Sequence, residues 1–352
     1  METTLTDGGE VWASEQLVLC RDEESGLRAV IAIDDTTLGP GLGGIRRRAY
    51  PDAAAAIFEC RRLAAAMTLK NALAEVPFGG AKSVIVDDGP VADRAALMRR
   101  FGAFVARTGG AYLPGVDMGT SVADLATIRA AGADVSCADD DPSPWTALGV
   151  AAAIVAAVEQ VDRREGVDGV IVLVQGAGHV GDSLARHLAA RGARVLVADV
   201  DAARAEALAA EVGGAVVAAD QALTTPCDVL APCAVARVVN DHTIPRFACR
   251  IVAGAANDTF AARADAERLA ARGIVYVPDY VANAGGVVHI DAIRRTGGTE
   301  HLGERVLAIG ERVGELLREA AAAGLTPTTV AERRARRLLA AARAPHAERA
   351  AA

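Results

Sequence analysis

Residues 170–181 read VIVLVQGAGHVG, an apolar run that passes directly into a glycine-rich turn. The continuous apolar run over residues 170–174 is typical of a strand that is buried on both faces of a sheet. The turn has the pattern GxGxxG and is followed by a predicted helix up to Arg191, then by a second predicted strand over 194–199. Strand, glycine turn, helix and strand in this order predict a parallel βαβ unit.

The glycine-rich turn of this unit has the features of a dinucleotide site. Glycines let a pyrophosphate approach the N–H groups that begin the following helix, where the helix dipole favours an anion. Asp199 ends the second strand, where its carboxylate would accept hydrogen bonds from ribose hydroxyls and repel a 2′-phosphate. The pattern therefore predicts a dinucleotide site and favours NAD over NADP. The alternative is a Rossmann-type domain whose site is empty or altered.

Short apolar runs continue to alternate with alanine-rich segments further along the chain, as in residues 229–234 and 251–257. Each run ends in small residues, where a ligand can lie across the carboxyl edge of a sheet. The alternation predicts a parallel sheet with helices on both faces. With 352 residues, the chain is long enough for a second domain.

Composition and charge restrict the partners. The formal net charge of −8 argues against binding to nucleic acid or to a membrane surface. The six cysteines include no CxxC pair, so we expect no metal site and a reduced, cytoplasmic chain. The first residues have no signal-peptide pattern, and the longest apolar run, residues 148–158, is too short to span a bilayer.

Residues 67–83 read MTLKNALAEVPFGGAKS and place Lys70 and Lys82 in apolar or glycine-rich surroundings. Lys70 ends a helix predicted over 51–70, and Lys82 precedes a short strand predicted from Ser83. Lysine is rarely buried without a partner. Two ammonium groups in a poorly hydrated pocket lower each other's pKa, so that one of them could act as a base near neutral pH. The alternative is a pair of ordinary surface lysines.

Two other segments of this half suggest a ligand site. The glycine-rich residues 37–44 predict a loop folded around something small, with a strand beginning at Ile45; a flexible turn is the alternative. Asp117 lies between a strand-like segment and a helix predicted to begin near Ser121. Because Thr120 and Ser121 are available as cap residues, Asp117 is left free for another role.

The acidic, proline-containing residues 137–144 predict an interdomain hinge. We therefore expect an α/β chain of two domains with an active-site cleft between them. Residues 1–138 plus 325–352 would form the substrate and oligomerisation domain, and residues 139–324 a doubly wound Rossmann domain that binds NAD. The last helix, predicted over 331–344, is expected to pack back on the first domain.

Taken together, these motifs make the chain similar to the glutamate/leucine/phenylalanine/valine dehydrogenase family, from about Leu17 to the last helix. The resemblance implies reversible oxidative deamination of an L-amino acid to a 2-oxo acid and ammonium, with NAD accepting hydride, in a homo-oligomer. The matching stretches occur in the family's order and are GPGLGG (39–44), MTLKNA (67–72), PFGGAKSVI (77–85), GVDMGT (115–120), PSPWTALGV (142–150), GAGHVG (176–181), APCA (231–234), AGAAND (253–258) and PDYVANAGG (278–286).

The resemblance implies roles for the first-domain residues. Lys82 resembles the family's catalytic lysine, the base that activates the water attacking the imine, and Asp117 resembles the acid/base that exchanges protons with the amino group. Lys70 resembles the lysine that binds the substrate carboxylate, with help from the backbone at Gly43 and Gly44.

In the second domain, Asn283 resembles the asparagine near the nicotinamide and the substrate, and Thr146 and Asn257 would touch the cofactor. His289 is expected to be a helix-packing residue rather than a catalyst. The remaining predicted cofactor contacts are Gly176, Gly178, His179, Val180, Gly181, Asp199, Cys233, Ala234 and Ala255.

One position separates the branches of the family. Glutamate dehydrogenases carry a lysine for the substrate's side-chain carboxylate where this chain has Leu42, and a buried carboxylate without a cation is heavily penalised. We therefore expect an apolar amino acid as the substrate. Phenylalanine, leucine and valine are all candidates, with a slight preference for a side chain the size of phenylalanine or leucine. The predicted pocket is lined by Leu42, Gly115, Val116, Val287 and Ile290.

The chain also departs from the family's pattern. Ile45 stands where members acting on apolar amino acids usually have threonine, residues 291–303 do not match their usual helix, and Asp139, Asp140 and Asp141 replace a glycine-rich stretch. Two alternatives follow: the same chemistry on an unusual amino acid or amine in a specialised pathway, or a non-catalytic NAD-binding relative.

Overall fold

The structure of the chain is a computed structural model that describes residues 13–136 and 141–350. It divides into two compact units. The first comprises residues up to 141 together with those from 335 onward, and the second comprises residues 142–334. Residues 137–140 of the predicted hinge lie outside the described residues.

The first unit is built on a mixed five-stranded sheet in the order β1-β2-β4-β3-β5. Strand β2 lies antiparallel to both β1 and β4, whereas β3 lies parallel to β4 and β5. Parallel pairing of β3 with both neighbours brings their carboxyl ends to the same edge of the sheet. The strands are β1 (Gln16–Asp22), β2 (Leu27–Asp35), β3 (Gly41–Arg48), β4 (Gly79–Val86) and β5 (Tyr112–Val116).

Helices cover both faces of this sheet. On one face, Val84 and its neighbours on β2 form a buried cluster with α1 (Ala53–Leu73). On the other face, Ile31 and Ile85 pack with residues of α2 (Arg94–Ala106) and α3 (Val122–Ala130). Each helix begins at a side-chain cap: Asp52 accepts from Ala55 N–H, Asp93 accepts from Ala96 N–H, and Ser121 forms a capping box with Asp124.

Two strands begin earlier than the glycine pattern predicted. Strand β3 begins at Gly41 and β4 at Gly79, so the glycines belong to strands and Lys82 lies inside β4. The prediction of a loop up to residue 44 was therefore wrong. The physical reason is close packing: a Cβ on Gly41 of β3 would lie 2.7 Å from the Cβ of Ala81, and a Cβ on Gly80 of β4 would lie 2.1 Å from Thr68 Oγ1 of α1, which only glycines avoid.

The second unit contains a parallel six-stranded sheet in the order β11-β10-β9-β6-β7-β8. The chain runs outward from β6 through β7 to β8, then returns to β9 on the other side of β6. This reversal defines a doubly wound, Rossmann-type sheet and confirms the predicted α/β class. Its strands are β6 (Ile171–Gln175), β7 (Arg194–Ala198), β8 (Ala215–Val216), β9 (Val229–Pro232), β10 (Ile251–Val252) and β11 (Val275–Tyr276).

Helices connect the strands of the second sheet and continue to Ala350. They are α4 (Ser143–Asp162), α5 (His179–Ala189), α6 (Ala202–Glu211), α7 (Asp265–Ala271), α8 (Asp279–Ala282), α9 (Gly285–Thr296), α10 (Leu302–Ala323) and α11 (Pro327–Ala350). Residues of α11 from 335 onward belong to the first unit, where Arg343 contacts Asp35 and Thr37 at the end of β2.

Helix α4 is long and apolar enough to cross a membrane by length and composition alone. Its residues Val150, Ile154 and Val158 are nevertheless fully buried, and the helix packs against α10 and α5 within the second unit. This placement is typical of the core helix of a soluble protein.

The atypical residues 291–303 form the end of α9, a short turn and the start of α10. Asp291 is only 1% exposed and accepts hydrogen bonds at 2.8 and 2.7 Å from Arg295, one turn later in α9. It also accepts a hydrogen bond from Arg305 in α10. A doubly paired buried carboxylate therefore joins these two helices.

The packing of β3 predicts the effect of one added methyl group. A Cβ on Gly43 would lie 1.7 Å from the carbonyl oxygen of Ala81 in β4, so Gly43→Ala must push two paired strands apart. We expect it to lower the free energy of unfolding by about 1–3 kcal/mol in chemical denaturation. Gly298→Ala is the matched control, because a Cβ there meets no atom within 4 Å. Equal stability of the two variants would contradict the described strand packing.

Candidate active site

Lys82, inside β4, meets Asp117, which directly follows the end of β5. Lys82 Nζ lies 2.7 Å from Asp117 Oδ2, and the two side chains are 7% and 13% exposed. Lys70, in α1, is also buried, at 7% exposure. The alternative of ordinary surface lysines is therefore wrong. The sequence suggested a neighbouring ammonium for Lys82, whereas the charged group in hydrogen-bond contact with it is a carboxylate.

The turn after β5 leaves the Asp117 side chain available for this contact. Thr120 Oγ1 accepts a hydrogen bond from the Asp117 N–H at 3.1 Å and lies 2.8 Å from the carbonyl oxygen of Ile45. Ser121 caps α3. Thr120 and Ser121 thus hold the local backbone and cap α3, as predicted, and leave the Asp117 carboxylate available to Lys82.

A second cation, which the sequence analysis missed, binds the same carboxylate oxygen. Arg46 Nε lies 3.1 Å from Asp117 Oδ2, and Arg46 NH1 lies 2.8 Å from Glu59 Oε1 on α1. The Arg46 side chain is 4% exposed. The signal available in the sequence was the alternation of a strand: with β3 beginning at Gly41, Gly44 and Arg46 lie on the same face.

These charges set the protonation state of Asp117. Burial raises the pKa of its carboxyl, but the ammonium of Lys82 and the guanidinium of Arg46 lower it by more, so that the pKa lies well below its usual range. The ionised carboxylate therefore stabilises the folded chain at pH values above about 4, the ordinary pKa of an unfolded aspartate. This contribution is lost as the pH falls through the lowered pKa of the folded state.

Glycines bring the backbone of β3 against this cluster. A Cβ on Gly44 would lie 2.7 Å from the Cβ of Asp117, so only a glycine lets the carboxylate reach its position. The carbonyl oxygen of Gly43 accepts a hydrogen bond at 3.0 Å from Tyr112 Oη, which lies 2.8 Å from Ser83 Oγ. The structure thus fixes the two predicted glycines next to Asp117 and β4.

Leu42 and Gly115 of the predicted pocket are buried, and Val116 is partly buried. Leu42 is 1% exposed, at the start of β3. A Cβ on Gly115 would meet only Ser136 Oγ, at 2.8 Å. Lys70 lies between two residues of α1 that contact β4. Thr68 packs directly against Gly80, and Asn71 Nδ2 lies 2.5 Å from the carbonyl oxygen of Gly79. This end of α1 is therefore anchored on the first residues of β4.

In the second unit, the predicted glycine turn has the shape that an anion requires. A Cβ on Gly181 would lie 1.8 Å from the carbonyl oxygen of Gly176, which itself has a φ of +105°. A Cβ on Gly178, by contrast, meets no atom within 4 Å, and Gly178 begins α5 without a side-chain cap. Open space next to the first N–H groups of a helix fits a pyrophosphate. His179 and Val180 form the first turn of α5.

Asp199 is attached to this turn. Its Oδ2 accepts a hydrogen bond from the Ala177 N–H at 2.7 Å, and its Oδ1 accepts one from the Asp201 N–H at 2.9 Å. Burial raises the pKa of Asp199, but these donors lower it by more, so the carboxylate is ionised at neutral pH. Each oxygen retains a lone pair that could accept a hydrogen bond from a ribose hydroxyl.

Cys233 and Ala234 follow β9 at the point where the strand order reverses. The Cys233 N–H donates to the Gln175 carbonyl oxygen at 2.7 Å, and a Cβ on Gly176 would lie 2.5 Å from Ala234 Cβ. These two residues therefore lie against the glycine turn. Ligands of doubly wound sheets bind at this reversal point, outside the carboxyl ends of the strands.

A second group of predicted residues also meets within this unit. Asn283 Nδ2 donates to the carbonyl oxygen of Ala255 and to Asn257 Oδ1, both at 3.0 Å. Asn283 Oδ1 is buried and has no hydrogen-bond partner among the described residues. This leaves an oriented acceptor for a ligand N–H. Thr146 Oγ1, on α4, would lie 2.9 Å from a Cβ on Gly286 at the start of α9.

Helix α9 carries the last predicted pocket residues. Val287 and Ile290 are 6% and 9% exposed. His289 is 1% exposed and its ring stacks on Trp145, with centroids 6.1 Å apart. This contact confirms the expectation that His289 is a packing residue.

Comparisons with known proteins agree with this arrangement. Residues 14–132 match the family model described as Glu/Leu/Phe/Val dehydrogenase, dimerisation domain, and residues 197–291 match that described as Glutamate/Leucine/Phenylalanine/Valine dehydrogenase. The leucine dehydrogenase of Thermoactinomyces intermedius is 39% identical over 80% of this chain and 78% of its own length. The valine dehydrogenase of Streptomyces albus is 36% identical over 94% and 93%.

A solved structure extends the likeness to the fold. The crystal structure of L-tryptophan dehydrogenase from Nostoc punctiforme superposes with a TM-score of 0.79 at 34% identity, and covers 94% of this chain and 97% of that one. This family uses a nicotinamide cofactor, which the open glycine turn and the free Asn283 acceptor both fit. The chain belongs to the glutamate/leucine/phenylalanine/valine dehydrogenase family.

Proposed function

We propose that this chain catalyses the reversible, NAD-dependent oxidative deamination of an apolar L-amino acid. The amino acid, NAD⁺ and water give the 2-oxo acid, ammonium, NADH and a proton. The observation that carries this proposal is the buried contact between Lys82 Nζ and Asp117 Oδ2. It supplies a proton donor and a proton acceptor within hydrogen-bond distance, in a chain that belongs to a family of amino-acid dehydrogenases.

The glycine turn and Asp199 would hold NAD, which would supply the acceptor for the hydride that leaves the substrate Cα. Lys82 takes a proton from the water that attacks the resulting imine carbon, and Asp117 exchanges protons with the substrate nitrogen. Their 2.7 Å contact gives a direct route for a proton between them. Lys70, with the backbone at Gly43 and Gly44, binds the substrate carboxylate. Burial of these groups excludes competing water and strengthens each charge interaction.

The apolar side chain is supported by Leu42. This residue is 1% exposed and provides no cation for a side-chain carboxylate, whose burial would be heavily penalised. Gly115, in the same unit as Leu42, is proposed to line the same pocket, and Val287 and Ile290 of the second unit remain predicted substrate contacts. Relatives are named leucine, valine and tryptophan dehydrogenases, and a single methylene changes selectivity by only about 1–3 kcal/mol. We therefore propose leucine, valine or phenylalanine as the substrate.

NAD is proposed over NADP because of Asp199. The two hydrogen bonds that it accepts from the backbone hold an ionised carboxylate at the end of β7. A 2′-phosphate at that position would face the like charge of this carboxylate. Thr146, Cys233, Ala234, Ala255 and Asn257 are the other proposed cofactor contacts, and Asn283 Oδ1 is the acceptor proposed to orient the nicotinamide and substrate.

We further propose that the chain acts as a homo-oligomer in the cytoplasm. The family model that matches residues 14–132 is described as a dimerisation domain. The edge strand β1 in that range exposes Leu17 and Leu19, at 37% and 65%. Exposed apolar side chains on a strand with one open edge are typical of an interface.

One alternative keeps the chemistry and changes the substrate. Asp291, next to Ile290, forms ion pairs with Arg295 and Arg305. These residues lie at or near the segment that departs from the family's pattern. An altered end of α9 would favour an unusual amino acid. A substrate screen distinguishes an ordinary apolar substrate from an unusual one. If the substrate is unusual, turnover of leucine, valine and phenylalanine will all be weak.

The first test is a screen of L-amino acids with NAD at alkaline pH, read as NADH absorbance, and of 2-oxo acids with ammonium in the other direction. We expect turnover of leucine, valine or phenylalanine and none of glutamate, because the site is proposed to hold an apolar side chain. Absence of turnover with every apolar amino acid would contradict the proposed function.

Lys82→Ala provides the control that ties this activity to the site. We expect it to abolish turnover while NAD binding, followed by protein fluorescence or calorimetry, is retained, because the glycine turn lies in the other unit. Unchanged activity in this variant would rule out the role given to Lys82.

Cofactor choice is tested with Asp199→Asn, which keeps the shape and one acceptor oxygen but removes the charge. We expect the ratio of kcat/KM for NAD to that for NADP to fall about tenfold or more, as 1.4 kcal/mol of lost discrimination would give. Asp201→Asn is the matched control, because Asp201 caps α6 two residues later. An unchanged ratio in the Asp199 variant would refute the proposed charge discrimination.

A further inference from the structure

Arg46 is the charged residue in this cluster to which no role has been given. Its guanidinium is nearly buried between two carboxylates, Asp117 at 3.1 Å and Glu59 at 2.8 Å. Burial lowers the pKa of Arg46, but these carboxylates raise it by more. Arginine is not deprotonated in proteins, so the positive charge next to Asp117 is permanent.

The permanent charge of Arg46 is important because Lys82, the other cation on this carboxylate, is proposed to lose its charge during turnover. Lys82 Nζ and Arg46 Nε bind the same oxygen, Asp117 Oδ2. When Lys82 is neutral, as a base must be, Asp117 would be a buried carboxylate without an ionic partner if Arg46 were absent. Such a carboxylate takes up a proton or moves toward water.

The position of Arg46 is itself fixed from α1. Glu59 Oε1 accepts its NH1, while the other Glu59 oxygen lies 3.7 Å from Arg48 NH1. Glu59 is 8% exposed. The guanidinium is therefore held at both ends and offers Nε to Asp117 in one geometry, as a planar, preorganised donor does.

We propose that Arg46 is a positioning residue, which keeps Asp117 ionised and directed at Lys82 through the steps in which Lys82 is neutral. This inference rests on the proposed function, because it assumes that Lys82 and Asp117 exchange protons during turnover. Arg46 acts through Asp117 and is not itself assigned a contact with the substrate.

Other groups around Asp117 do not supply this charge. Tyr112, on β5, is fully buried and burial raises its pKa well above the usual value, so it is neutral. Cys60, on α1, is also a neutral thiol because burial raises its pKa to about 12. The charged groups described around the carboxylate, directly or through Arg46, are Lys82 on β4, Arg46 on β3 and Glu59 on α1.

The test compares Arg46→Gln and Arg46→Lys with Arg47→Gln. Arg47 is the adjacent arginine of β3, 13% exposed and paired at 2.7 Å with Asp87, which is 31% exposed, so its loss controls for removing a partly buried ion pair from the strand. We expect Arg46→Gln to lower kcat about ten- to hundredfold, as for one hydrogen bond between charged groups, with a smaller change in KM. Arg46→Lys should recover part of the loss.

The pH profile separates this role from a structural one. Removing the guanidinium favours the proton-bound form of the coupled Lys82–Asp117 pair, so the acid limb of kcat/KM should move to higher pH in Arg46→Gln and return toward wild type in Arg46→Lys. A wild-type pH profile in Arg46→Gln, or an equal loss of kcat in Arg47→Gln, would overturn the inference and leave the proposed function intact.

A second readout does not depend on turnover. In acid unfolding of the cofactor-free chain, Asp117 stabilises the fold until the pH falls through its lowered pKa. Arg46→Gln should lose this contribution at higher pH than Arg47→Gln does. If wild type turns over no amino acid, the proposed function fails, and this shift still supports the electrostatic part of the inference. Identical acid unfolding of the two variants would overturn it.

Discussion

Two buried cations on one carboxylate oxygen are the interaction on which the first unit depends. A lysine in a dry site is costly unless an anion balances it, and breaking such a pair by removing one partner costs several kcal/mol. Here Asp117 balances Lys82, Arg46 balances Asp117, and Glu59 anchors Arg46 to α1. The four groups are neutral in sum, so the sheet and its covering helix can enclose them.

The backbone makes this arrangement sterically possible. Gly44 leaves room for Asp117, and Gly80 lets α1 approach β4 closely. The parallel register pairs Ile45 of β3 with Ser83 of β4 and with Val116 of β5, so Arg46, Lys82 and Asp117, each next to one of these residues, arrive within hydrogen-bond distance. The second unit uses glycine for a different purpose, because Gly178 leaves space at a helix N-terminus that an anion can occupy.

Much of this could be predicted from local pattern. The apolar run and glycine turn over 170–181 predict a buried strand followed by a helix N-terminus open to an anion. Asp117 was identified because its neighbours Thr120 and Ser121 could cap α3. The starts of β3 and β4 were missed because glycine favours turns in isolation, and only the helix packed on Gly80 makes it a strand residue. Arg46 was missed because three consecutive arginines resemble a solvated strand end. Its partners, Asp117 and Glu59, lie in other elements.

The most direct measurement is a double-mutant cycle on the free energy of unfolding of the full, cofactor-free chain, with Lys82→Met, Asp117→Asn and both together. If the pair is held as described, Asp117→Asn is the more damaging single change, because it leaves two cations facing each other. The double variant should then be more stable than the sum of the single effects, by roughly 0.5–3 kcal/mol. Additive effects would show that the two side chains are not energetically paired, and would contradict the account.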